Sequence, residues 1–263
     1  MDKPKLYAGF FVGEFGWELM RWQGFLRHMS CSYDIVVGCE KDKTFLYQDF
    51  AHSFVIYPGK VNTRNMWLCN GKVFPLYSQI EKTDVEYYVP SKDICLNDNL
   101  NQDFIRYGQK AEENKYDIIL HARSTGNIKS SYRNWPISKW DQLIELLKKK
   151  YNLRIACMGS KAGADYINGT TNLIGKPLEQ IANDICRSRV FVSPSSGPVH
   201  FASLCGKQHI VWSDKKDRGI YKNKERYLDT WNPLKTKCKF IPKWQPSIYT
   251  VYEAIEETLN LRG

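Results

Sequence analysis

The residues best suited to chemistry lie in one short run, Ser193-Pro194-Ser195-Ser196-Gly197-Pro198-Val199-His200. A strand-type segment, Arg189 to Val192, leads into it, and Val199 to Leu204 reads as a short helix closed by Cys205-Gly206. Pro198 suits the first helical position, where its missing N–H costs nothing. Small residues therefore meet where a strand ends and a helix begins. Unpaired backbone N–H groups and the positive end of the helix dipole converge at such a point, which makes it a seat for phosphate. An ordinary tight turn uses the same residue types. His200 either reaches the ligand or packs behind it. A second candidate is Glu14, on the loop Gly13-Glu14-Phe15-Gly16 after a first apolar run. A carboxylate at the C-terminal end of a strand stands where open α/β folds bind ligands, and it can act as a general base. It can equally stabilise the dipole of the following helix. Glu18, one turn further on, is a rival base, although a carboxylate there is more often solvated or ion-paired.

Strand and helix patterns alternate twice along the chain. Leu6–Val12, Asp34–Cys39 and Ser53–Tyr57 read as strands, with a helix from Trp17 to Met29 and a short one from Phe45 to Phe50. Lys60 to Pro90 is less regular, with a strand near Tyr87-Tyr88-Val89, and Ser91 to Asn101 reads as a polar loop. The second alternation comprises a strand at Asp117–His121, a helix capped by Ser138 and running to Lys150, and a strand at Leu153–Met158. A short strand at Leu173-Ile174, a helix at Leu178–Cys186, the serine-rich turn and a strand at His209–Trp212 complete it. From Asp214 the chain is basic and turn-rich, and a last helix spans Ile248 to Leu261. Such alternation implies parallel sheets with both faces covered.

The turn and its surroundings resemble the donor-site signature of heptosyltransferase-like (family 9-like) glycosyltransferases. That signature is an apolar strand, an acidic residue, Ser or Thr, Gly-Pro-x-His and a small-residue helix. Ser196-Gly197-Pro198-Val199-His200 followed by Phe201-Ala202-Ser203 matches it, with Ser195 at the acidic position. Arg123 ends the strand at which that family opens its donor site, and Arg133-Asn134-Trp135-Pro136 resembles its basic-x-Trp-Pro element. Met158-Gly159-Ser160 falls at the strand end that meets the nucleotide base, and Gly175 precedes the helix at Leu178 that lines the base pocket. In the first half, Gly13-Glu14 takes the place of the family's Gly-Asp pair.

The resemblance implies an α/β fold of the GT-B type, with two Rossmann-like domains facing a cleft. The first domain (1–110) is small and holds the acceptor, residues 111–245 bind the nucleotide sugar, and the helix of 246–263 crosses back onto the first domain. It implies a metal-independent inverting glycosyltransferase. The Ser196-Gly197 amides and Arg123 or Arg133 would stabilise a leaving diphosphate, Glu14 would be the base, and Trp17 and Glu18 would touch the acceptor. Trp17 and Trp22 share a helical pattern with Met20 and Phe25, so core packing competes for at least one of them. No Asp-x-Asp occurs in the chain. The co-substrate would be a UDP- or ADP-linked sugar, with no further cofactor.

The net charge of +10 favours an anionic partner. The acceptor is then a lipopolysaccharide-type glycan or DNA bearing hydroxymethylated bases, as in phage-type DNA modification. A non-catalytic nucleotide- or nucleic-acid-binding protein of the same fold is the alternative, and Ser195 is its main support. The 8 cysteines form no CxxC pair, no segment has the length of a membrane span, and the N-terminus lacks signal-peptide architecture. These features lead us to expect a cytoplasmic location, peripheral to the membrane or in a phage-infected cell.

Overall fold

Apolar runs rich in Val and Ile become central strands, and patterns of period 3.6 become the helices that cover them. The computed structural model describes residues 3–11, 13–57, 86–88, 97, 99–126, 128–214 and 223–261. The chain divides into two units, Met1–Ile105 and Arg106–Gly263, against the 110/111 boundary expected from the sequence.

In the first unit, β1 (Lys5–Ala8), β2 (Asp34–Glu40), β3 (Ser53–Tyr57) and β4 (Glu86–Tyr88) form a sheet of order β3-β2-β1-β4. Every pairing in it is parallel. The expected helix after β1 has three parts: α1 (Phe15–Trp17), a π-helical turn (Glu18–Trp22) and α2 (Gln23–Met29). Leu19, Met20, Trp22 and Leu26 are fully buried along it. Arg27, also buried, forks onto Asp49 at 2.7 and 3.0 Å. In place of the short helix expected at Phe45–Phe50, a 3₁₀ segment spans Lys41–Leu46.

The second unit has a six-stranded parallel sheet of β5 (Tyr116–Leu120), β6 (Ile155–Cys157), β7 (Thr171–Asn172), β8 (Ser188–Pro194), β9 (His209–Trp212) and β10 (Cys238–Ile241), ordered β10-β9-β8-β5-β6-β7. The chain lays strands outward from β5 to β7, returns to β8 on the other side of β5, and moves outward again to β10. The direction of winding thus reverses between β5 and β8. In doubly wound sheets the crevice at the strand C-termini beside that reversal is where ligands bind. The pairing Leu120↔Val192 brings those two ends level. In the first unit the same kind of reversal lies between β1 and β4, and Glu14 follows β1.

Helices α3 (Ile137–Lys150), α4 (Leu178–Cys186), α5 (Gly197–Leu204) and α7 (Ile248–Leu259) flank the second sheet, and a short α6 (Asn223–Glu225) runs into a second π-helical turn, Arg226–Thr230. Three indoles anchor the core, with Trp135 centred 4.9 Å from Trp140 and 5.3 Å from Trp212. Aromatic burial of this kind is among the largest single contributions to a core. Gly206, at φ +68, closes α5 in the left-handed conformation that glycine adopts without strain.

Several expectations need correction. The C-terminal helix does not spend its apolar face on the first domain: Val251, Ala254, Ile255 and Leu259 are buried in one cluster with Leu143, Ile144 and Leu147 of α3 and Ile210 of β9. Its hold is polar as well, since the buried Glu256 accepts from Lys150 Nζ at 2.8 Å and Tyr151 Oη at 2.6 Å. Ser138 is not the cap of α3, because the extended backbone of Pro136 (ψ 138) already ends the loop there. The short strand is Thr171–Asn172 and not Leu173-Ile174, and β10 lies in the stretch after Asp214 whose composition is that of basic turns. The basic run at 215–222 and most of the irregular and polar segments between 60 and 101 lie outside the described residues.

Candidate functional site

The serine-rich turn stands at the reversal point of the second sheet, where β8 ends and α5 begins. Ser196 occupies the N-cap of α5 in extended backbone (φ −164, ψ 167), and its side chain does not cap the helix. It turns instead to β5, with Oγ 3.2 Å from His121 Nδ1 and 3.2 Å from Ser193 Oγ. His121 Nδ1 also lies 3.1 Å from Ser193 Oγ. The first turn of α5 has no acidic residue. No carboxylate in that turn therefore offsets the positive end of its dipole.

Two arginines were expected at this seat, and the structure gives them different work. Arg133, at the end of the 3₁₀ segment Ile128–Arg133, donates through Nη2 to the Ser195 carbonyl and lies 3.4 Å from Ser195 Oγ. Its guanidinium carbon sits 5.2 Å from the centroid of the Trp244 ring. Arg133 Nε is buried, with no hydrogen-bond partner among the described residues. Arg123 donates to the Ser130 carbonyl at 3.1 Å and to Asn134 Oδ1, so it braces the loop that carries Arg133. Asn134 in turn donates to the Thr125 carbonyl at 3.2 Å.

Ser195, at the family's acidic position, is 6% exposed, and its hydroxyl pairs with Tyr227 Oη. Tyr227 belongs to the second π-helical turn and stacks on His200 with centroids 4.9 Å apart and planes at 2°. Trp231 meets the same imidazole edge-on at 4.9 Å. His200 is therefore a packed residue behind the turn, with Nδ1 buried and unpartnered. Sequence reasoning missed His121, Tyr227 and Trp244. The strand-end position of His121 was a usable signal; nothing in the local sequence marks Tyr227 or Trp244.

The proposed base-contacting residues line the neighbouring strand ends. Met158 is buried, and Gly159 and Ser160 follow β6. Gly159 has φ +149, and a Cβ there would come within 2.4 Å of Ala164 Cβ and 3.0 Å of His121 Cδ2. Glycine at 159 thus keeps His121 in place. Leu178 opens α4, half-buried, and the Gly175 amide donates to the Gly159 carbonyl at 2.9 Å.

In the first unit Glu14 is exposed at the N-cap of α1, and its side chain caps nothing. Glu18 and Trp17, expected to touch the acceptor, are placed otherwise. Glu18 is 1% exposed, with Oε2 held by Lys43 Nζ at 2.6 Å and Oε1 by Tyr47 Oη at 2.8 Å. A carboxylate with both oxygens engaged in the interior is structural. Trp17 is 7% exposed and belongs to the core of its unit.

Burial holds His121 and His209 down to about 4, with Arg123 adding to the effect at His121. Burial, then Arg226, keeps His200 well below the ordinary imidazole value. The unfolded chain, with histidines near 6.5, binds more protons between pH 6.5 and 4 than the folded one. Stability should therefore fall as pH drops through that window, by up to about 1.4 kcal/mol per histidine per pH unit. Urea midpoints at pH 7 and pH 5 check this; an equal or higher midpoint at pH 5 would contradict it.

Among the described residues no group of three or more His, Cys, Asp or Glu could hold a metal ion, and no helix is long and apolar enough to cross a membrane. Neither a protein-family model nor a curated protein matches the sequence. Solved structures do. ADP-heptose lipopolysaccharide heptosyltransferase II of E. coli aligns over 98% of this chain and 99% of its own, at 12% identity and a TM-score of 0.61. E. coli heptosyltransferase WaaC with ADP aligns over 96% and 99%, at 12% identity and 0.58. The iron-containing dodecameric glycosyltransferase TibC of enterotoxigenic E. coli aligns over 99% and 77%, at 13% identity and 0.58. The fold is that of these GT-B glycosyltransferases, as the resemblance in the sequence implied.

Proposed function

We propose that the protein is a glycosyltransferase that moves a sugar from a nucleoside-diphosphate donor to an acceptor hydroxyl. One observation carries this reading: a helix N-terminus without a side-chain cap and Arg133, which no carboxylate among the described residues pairs, meet at the reversal point of a doubly wound sheet. A leaving diphosphate gains charge as the glycosidic bond breaks, and preorganised amides plus a guanidinium stabilise that charge. Glu14 is the base in this reading. Its exposed carboxylate, at the N-cap of α1 in the loop after β1, has among the described residues no partner of the kind that occupies Glu18. Attack by the acceptor from the face opposite the leaving group inverts the sugar.

The acceptor is an anionic glycan of the lipopolysaccharide type. The neighbouring fold of a lipopolysaccharide heptosyltransferase and the charge of +10 both support this choice. DNA with hydroxymethylated bases is the rival outcome. Incubation with UDP- and ADP-sugars, with and without truncated lipopolysaccharide or hydroxymethylated DNA, followed by mass spectrometry, tests the whole reading. Sugar on the glycan supports it, and sugar on DNA moves the acceptor. The absence of both donor hydrolysis and transfer, with salt-sensitive DNA binding, returns the protein to a binding role.

Stabilisation by amides and arginine needs no divalent ion. EDTA should therefore leave transfer within about twofold of the untreated rate, against the several kcal/mol that a Lewis-acid ion supplies where one is used. Loss of activity in EDTA, restored by manganese or iron, would refute metal independence.

A further inference from the structure

We propose that Tyr227 is a positioning residue that acts through Ser195 to hold Arg133 for the second phosphate of a nucleoside diphosphate; this rests on the donor-site reading above. Ser195 is fixed at three points. Its amide donates to the Trp212 carbonyl at 2.9 Å, its carbonyl accepts from Arg133 Nη2, and its hydroxyl pairs with Tyr227 Oη. Tyr227 is itself held rigidly, stacked on His200 at 4.9 Å and on Phe240 at 6.1 Å. The phenol therefore orients the serine hydroxyl that lies 3.4 Å from Arg133 Nη2. With that hydroxyl engaged, Arg133 stays on the carbonyl just before the N-cap of α5, with Nε buried and unpartnered.

The charge of the surroundings explains what this arrangement selects. Among the described residues no carboxylate pairs with Arg133. The titratable groups beside Ser195 and Ser196 are held neutral, a phenol pushed up by burial and the imidazoles of His121 and His200 pushed down by it, while Arg123 and Arg226 add further positive charge next to them. The compensating charge must come from the ligand. The helix N-terminus takes one phosphate, and the positive charge of a guanidinium that no described carboxylate pairs takes another. A monophosphate satisfies only one of the two. Preference for diphosphate over monophosphate is thus the property that Tyr227 controls.

The test is calorimetric binding of ADP, UDP, AMP and UMP to the wild type and to Tyr227→Phe. The wild type should prefer each diphosphate by about tenfold or more, the scale of one hydrogen bond to a charged group. Tyr227→Phe keeps the ring and its stacking. It should bind the monophosphates within about twofold of wild type while losing most of the tenfold preference. Ser195→Ala removes the same hydroxyl link and should give the same pattern if Tyr227→Phe does not fold. An equal loss for mono- and diphosphates would mean that Tyr227 only packs, and an undiminished preference would mean that it does not position Arg133; either overturns the proposal. A wild type that binds none of the four overturns the donor-site reading itself.

Discussion

Gly197→Val abolishes nucleotide binding, with the dissociation constant raised by at least about 100-fold, while the urea midpoint stays close to wild type. Gly197 is the first residue of α5, directly after the N-cap Ser196. Its amide is one of the few at the helix start with no intrahelical acceptor. A phosphate on that amide must approach the backbone closely, and glycine permits the approach because it has no Cβ. The residue has helical backbone, so valine enters without the strain of a left-handed position, and its helix propensity is no worse than that of glycine. The variant therefore separates ligand from fold. Calorimetry with ADP and UDP gives the binding result and urea unfolding the control; unchanged affinity in the folded variant removes the phosphate from this turn.

The second large effect concerns the base. In Glu14→Gln, transfer should fall by roughly 10²–10⁴-fold, the usual range for a positioned acid–base group, with donor affinity almost unchanged. The amide keeps the shape of the side chain and cannot take the hydroxyl proton. Glu18→Gln should behave differently. It strips the negative charge from a buried carboxylate that holds Lys43 at 2.6 Å, and Lys43 is pushed up by Glu18 even though burial opposes it. Removing one member of such a pair leaves a desolvated charge and costs stability, about 3 kcal/mol or more. Glu18→Gln should thus lower the urea midpoint, while the folded fraction keeps its rate. A Glu14→Gln protein with wild-type turnover, or a fully stable Glu18→Gln protein with none, reverses these assignments.

How far these roles were legible in the sequence follows from the distance over which each is determined. Local patterns placed β3, α4 and β9 at their observed bounds, because an apolar run or a 3.6 period is set by neighbours in the chain. The junction between β8 and α5 was legible for the same reason: serine, glycine and proline mark a strand-to-helix turn by their own backbone preferences. Partners from distant parts of the chain were not legible. Ser195 meets Tyr227 across 32 residues and Arg133 across 62, and nothing around Tyr227 announces either meeting. Glu18 reads from its position as solvated or ion-paired, and it is ion-paired, but its partners Lys43 and Tyr47 follow a strand later and its neighbours do not name them. The final helix has a clear apolar face, but a face does not name its partner. Its cover turned out to be α3, not the first domain.

The two π-helical turns, Glu18–Trp22 and Arg226–Thr230, bear on how such a chain can change over generations. Each amounts to one residue more than an α-helical ladder can take up. Deleting that residue would restore the ladder and roll everything beyond it by about 100°. In the first turn, Leu19 and Met20 on one side and Phe25 and Leu26 on the other are all buried as things stand, so a deletion would swing one pair toward water. In the second, Tyr227 would leave both Ser195 and His200. Insertions and deletions that drift freely through surface loops are barred at these two points. A lineage that keeps the buried face of its first helix must keep the first surplus residue, and one that keeps Tyr227 on Ser195 must keep the second, however far the rest of its sequence wanders.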